Sequence, residues 1–157
     1  EVSGEIIVPW TTLQCEIGSQ FGSPYQPYTL LYKKGYATGT DSGYALNHAT
    51  VILPPGVTLT KLTQVGYREE TTNYLIANFI SNDFSGGSRV LVGTVINDTT
   101  GWQAKELTLS HVVSAAKVYT IDVQMYPANG TTTWDGDDVR LACWKLEYDR
   151  PAYSNTY

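Results

Sequence analysis

The chain is predicted to fold as an all-β, single-domain sandwich, and three observations carry that expectation. Several stretches alternate apolar and polar side chains at period two and are rich in Val, Ile, Thr and Tyr, residues that pack well on a pleated surface. Turn-forming clusters punctuate them at short intervals: Pro54-Pro55-Gly56, Ser85-Gly86-Gly87, Asn97-Asp98-Thr99-Thr100-Gly101, Asn129-Gly130 and Asp135-Gly136. At 157 residues the chain can bury one core, whereas two would leave each half too small to offset its chain entropy.

Read in order, strands are expected over 5–8, 12–17, 29–33, 45–53 and 58–67. The stretch 73–81 follows, with Leu75, Ala77 and Phe79 on one face and Tyr74, Ile76 and Ile80 on the other. Residues 89–97 are Val-rich on both faces, as in a central strand, and 104–110 alternates. The clearest alternation is 118–126, where Tyr119, Ile121, Val123 and Met125 oppose Thr120, Asp122 and Gln124, so that one face is core and the other wet. Residues 139–148 place Ala142, Trp144, Leu146 and Tyr148 opposite Leu141, Cys143, Lys145 and Glu147. The segment 111–117 is too short and lacks a terminal Gly, so it reads as a loop. The ends, 1–9 and 149–157, read as segments free to extend from the domain.

Composition excludes several functions. Hydrophobic residues at 42% rule out a disordered tail, and a net charge of −5 without a Lys/Arg cluster argues against nucleic acid as a partner. No apolar run is long enough for membrane insertion as a helix. The chain starts at Glu1 with neither an initiator Met nor an apolar leader, as expected of an exported product after signal-peptide removal, at the cell surface or outside it. The two cysteines, Cys15 and Cys143, match no metal spacing. A disulfide between them is expected, worth roughly 5 kcal/mol in the chain-entropy picture; the alternative is two thiols that never meet.

No catalytic centre or cofactor site is legible. His48 and His111 lie in or beside strand-like segments with no ligand or triad spacing, and no Gly-x-Ser-x-Gly elbow or phosphate-cradling loop occurs. Asp135, Asp137 and Asp138 flank Gly136 and offer hard oxygen ligands to Ca²⁺, but they lack the full EF-hand pattern, and an acidic turn feeding the last strand is the simpler reading. Asn97 and Asn129 begin sequons in turns and are candidate N-glycosylation sites.

The run Val51-Ile52-Leu53-Pro54-Pro55-Gly56-Val57-Thr58-Leu59-Thr60-Lys61-Leu62, with Val8-Pro9, Gly43-Tyr44 and Asp138-Val139-Arg140-Leu141 leading to Leu146-Glu147-Tyr148, resembles small exported bacterial proteins of unassigned function. The resemblance extends over nearly the whole chain and implies an antiparallel, jelly-roll-like β-sandwich with no activity to carry across. Cys15, Cys143 and the aromatic tail depart from that pattern.

Two roles follow. In the first, copies of the chain polymerise into an extracellular filament, sheath or surface layer, with Glu5, Ile6, Ile7 and Val8 adding a strand to a neighbouring copy; an ordinary intramolecular first strand is the alternative. The second is a carbohydrate-binding module using Tyr residues, Trp10, Trp102 or Trp134 as stacking surfaces. A viral capsid or fibre component of the same topology is a third reading.

Overall fold

The computed structural model describes residues 2–15, 30–33, 36–39, 45–85, 87–126 and 139–151. Among the described residues eleven strands run in chain order: β1 (Val2–Pro9), β2 (Gln14–Cys15), β3 (Leu30–Lys33), β4 (Tyr36–Gly39), β5 (Ala45–Val51), β6 (Thr58–Arg68), β7 (Tyr74–Asp83), β8 (Arg89–Ile96), β9 (Gly101–Val112), β10 (Lys117–Tyr126) and β11 (Val139–Arg150). They form two antiparallel sheets. Sheet A has the order β3-β4-β11-β6-β9, with β1 also paired to β11, and sheet B has the order β2-β5-β10-β7-β8. The result is the expected all-β, jelly-roll-like sandwich.

The period-two reading locates the core. Tyr119, Ile121, Val123 and Met125 of β10 and Leu75, Ala77 and Phe79 of β7 point inward from sheet B. They meet Leu59 and Leu62 of β6 and Leu141, Trp144 and Leu146 of β11 from sheet A. Leu141 departs from the simple alternation, which puts it opposite Trp144. A register shift between Leu141 and Cys143 inserts an extra residue, so both large side chains reach the same core.

The interior also contains a polar cluster. Gln64 is fully buried; its Oε1 accepts from the Trp144 indole N–H at 2.7 Å and its Nε2 donates to Asn97 Oδ1 at 2.8 Å. Arg68, also buried, donates to the Asn97 and Thr71 carbonyls and holds the 69–73 turn against the 97–101 turn.

Two of the expected turns, at Gly56 and Gly101, behave as read. Gly56 adopts φ +83° after the two prolines, and its N–H donates to the Val113 carbonyl at 2.8 Å. Gly101 supplies φ +81° where β9 begins.

Three sequence expectations are corrected here. Glu5, Ile6, Ile7 and Val8 are not a projecting strand: they pair with Glu147, Leu146, Lys145 and Trp144 of the same chain. The pairing continues to Val2 opposite Arg150, and Ser3 Oγ donates to Asp149 Oδ1 at 2.8 Å. Cys143 is a free thiol. It faces outward from sheet A, since its neighbour Trp144 is buried, whereas the strand carrying Cys15 belongs to sheet B, so the expected disulfide is absent. Asn97 is 1% exposed, with its Oδ1 engaged by Gln64 and its Nδ2 donating to the Gln103 carbonyl at 3.3 Å. That amide cannot carry a glycan in the folded chain. Residues 152–157, Asn129, and Asp135, Asp137 and Asp138 lie outside the described residues.

Candidate functional site

Strand register builds a polar surface on the outer face of sheet B. Because alternate residues share a face, the outward positions of β10 are Val118, Thr120, Asp122 and Gln124. Asp122 lies opposite His48 on β5 and Asn78 on β7, and Asn78 lies opposite Thr94 on β8. One row, His48-Asp122-Asn78-Thr94, therefore crosses four strands, about 14 Å at the usual strand spacing. The adjacent row is Thr50-Thr120-Ile80-Leu91, and beyond it Val118, Asn82 and Arg89 align.

These side chains brace one another. Thr94 Oγ1 donates to Asn78 Oδ1 at 2.7 Å, and Asn82 Nδ2 donates to Thr120 Oγ1 at 3.3 Å. The Arg89 guanidinium pairs with the Asp122 carboxylate. To do so it reaches from β8 to β10 across β7, where Ile80 faces outward yet is only 3% exposed. Leu91, at 58% exposure, and Ile96 leave apolar surface beside the polar row.

Electrically this face is neutral. Among its described side chains Asp122 and Arg89 alone carry charge, and they pair with each other. The outer face of sheet A contrasts with it. There Glu5, Lys145, Glu147, Lys61 and Glu106 form a chain of alternating sign across four strands, with contacts of 3.3 to 3.9 Å. The hydrogen bond and charge of Glu106 raise the Lys61 pKa above its ordinary value.

The remaining sequence candidates are scattered. His111 Nε2 lies 3.0 Å from Tyr119 Oη, which itself accepts from the Ser114 N–H at 3.0 Å. The direction of the His111–Tyr119 bond follows the imidazole tautomer, and burial holds the His111 pKa below its ordinary value. Trp10 packs half-buried against the core, Trp102 stands half-exposed on sheet A, and Trp134 lies outside the described residues. Among the described residues no three His, Cys, Asp or Glu side chains group as a metal site. Likewise, no described helix is long and apolar enough to cross a membrane.

No family model matches the chain, and no curated protein matches it by sequence. Solved structures align with it. The Clostridium thermocellum xylanase 10B CBM22-1–GH10 modules, complexed with xylohexaose, align with a TM-score of 0.55 at 11% identity, over 96% of this chain and 28% of that one. The CBM36-1 domain of a xylanase from the hindgut metagenome of Trinervitermes trinervoides aligns at 0.47 and 12% identity, over 96% and 100%. A Podospora anserina GH26-CBM35 β-(1,4)-mannanase aligns at 0.47 and 17%, over 96% and 29%. This chain thus spans less than a third of the xylanase and mannanase chains. At 11% identity the likeness to the Clostridium thermocellum structure is one of fold alone.

The wet face of 118–126 was legible from alternation, but its partners His48, Asn78, Asn82 and Thr94 were not. No motif links residues that only cross-strand register brings together.

Proposed function

We propose that the chain is a non-catalytic saccharide-binding module, acting outside the cell, that lays an uncharged glycan along the outer face of sheet B. The observation that carries this reading is the neutral, pre-braced array of amides and hydroxyls centred on Asn78, Asp122 and Thr94. Sugars present hydroxyl groups at their rims and C–H surfaces on their ring faces. Planar amides and carboxylates meet the first, and Leu91 and Ile96 meet the second. Side chains already held by hydrogen bonds lose little rotamer freedom on binding, which favours a weakly interacting, rigid ligand. The filament reading loses one of its motives, a projecting first strand, since β1 is used within the chain.

Affinity electrophoresis through a soluble xylan, a mannan and a mixed-linkage glucan tests this function. One of them should retard the wild-type chain, and Asn78→Ala should weaken binding about fivefold to tenfold, the worth of a hydrogen bond. Retardation by none of the three, or unchanged retardation of an Asn78→Ala/Asp122→Ala variant, would rule out this face.

A further inference from the structure

The opposite side of the sandwich carries an aromatic platform that the face just described does not use. Register places Arg140 of β11, Tyr67 of β6 and Trp102 of β9 side by side on the outer face of sheet A. The Tyr67 and Trp102 ring centroids are 5.7 Å apart with their planes inclined at 53°, and the Arg140 guanidinium lies 4.2 Å above the Tyr67 ring. Arg140 thereby fixes one ring, while Trp102 remains 51% exposed.

The surroundings shape this row into one wall of a shallow trough. The next outward row is Cys143, Val65 and Ala104, all small. The row after that is Lys145, Thr63 and Glu106, with Lys61 bonded to Glu106 at 3.3 Å. Aromatic wall and charged wall are thus four residues apart along β6, roughly 13 Å, with a low floor between them.

We infer that this trough is a second saccharide site, so that one chain grips two glycan segments on opposite faces; the ligand class rests on the function proposed above. The half-exposed Trp102 ring offers a stacking face to a sugar residue, and Tyr67, capped by Arg140, backs it from the neighbouring strand. Lys61, Lys145 and Glu106 stand where hydroxyls at the far rim would need donors and acceptors. A flat protein partner would instead favour a continuous apolar patch, and here the platform is bordered at once by paired charges.

Two faces predict cross-linking. Light scattering of the wild-type chain with the retarding polysaccharide should rise and then fall as protein is added, with its maximum at an intermediate ratio. Trp102→Ala and Asn78→Ala/Asp122→Ala should each be retarded less than the wild type, though still measurably, and each should lose at least about tenfold of the scattering; combining the three should abolish binding. Cys143 supplies a local readout. Its alkylation by iodoacetamide should be slowed by the polysaccharide in the wild type and in Asn78→Ala/Asp122→Ala, but not in Trp102→Ala. An unchanged melting temperature shows that Trp102→Ala folds.

Scattering and protection that survive Trp102→Ala would overturn the second site and leave the sheet B face standing. If Trp102→Ala instead abolished all retardation while Asn78→Ala/Asp122→Ala did not, the sheet B face would fail, and with it the claim of two sites. A change in the sedimentation of Trp102→Ala without polysaccharide would mark the platform as a contact between copies and overturn the inference.

Discussion

Gln64 shows how much a single buried side chain organises. Its amide serves Trp144 from sheet A and Asn97 at the turn into β9, so it ties the core to the 97–101 turn. Gln64→Leu strands the Trp144 N–H and Asn97 Oδ1 without partners, and each such group costs about 1–3 kcal/mol. Urea denaturation should show a loss of at least about 2 kcal/mol with little change in slope. His111 gives a pH signature. Its folded pKa is lowered, so on acidification the unfolded chain takes up the proton first. Stability should be level above about pH 7 and fall as pH drops through about 6.5 towards the folded value. In His111→Gln this limb should flatten in denaturation midpoints measured from pH 7.5 to 5. Neither role was legible in the sequence: Gln64 and Trp144 are 80 positions apart, and nothing local marks them as partners.

At the scale of elements, alternation located most strands because one face of each is core. It failed where a bulge resets the phase, at Leu141 to Cys143, and where side-chain pattern does not report pairing, as with β4. It also could not show that β1 closes on β11, because an apolar stretch ending in Pro looks the same whether it pairs at home or with a neighbour. Removal of residues 1–9 takes away the buried Val8 and every β1 ladder bond. The truncated chain should remain monomeric and lose at least about 2 kcal/mol, as read by sedimentation and chemical denaturation. A stable truncated chain with altered assembly would contradict the intramolecular pairing. Gly66 is a close-approach position on β6, where an added Cβ would lie 2.1 Å from Leu75 Cδ2. Gly66→Ala should destabilise by about 1–3 kcal/mol through overpacking.

For the molecule as a whole, composition and turn spacing were enough for a sandwich, because strand alternation and chain length leave few other ways to bury the apolar face. The order of strands within each sheet, and therefore the make-up of both outer faces, was not, since a surface row is assembled from four separate strands. Binding on two faces has a thermodynamic mark. Free oligosaccharide at a hundred times its dissociation constant should stabilise the chain by about 2.7 kcal/mol for one site and about twice that for two. Calorimetric melts of the wild type and Trp102→Ala should differ by that second increment.

The pairing of Val2 with Arg150 fixes how the module would bear tension. Force applied at these two residues acts on neighbouring ends of antiparallel strands, so it opens the β1–β11 ladder rung by rung, like a zip, rather than shearing all its bonds together. A polymer chain pulling on either face through these ends would meet a soft, progressively yielding anchor. In single-molecule stretching, extension through residues 2 and 150 should therefore begin at lower force than extension through attachment points at opposite ends of β11.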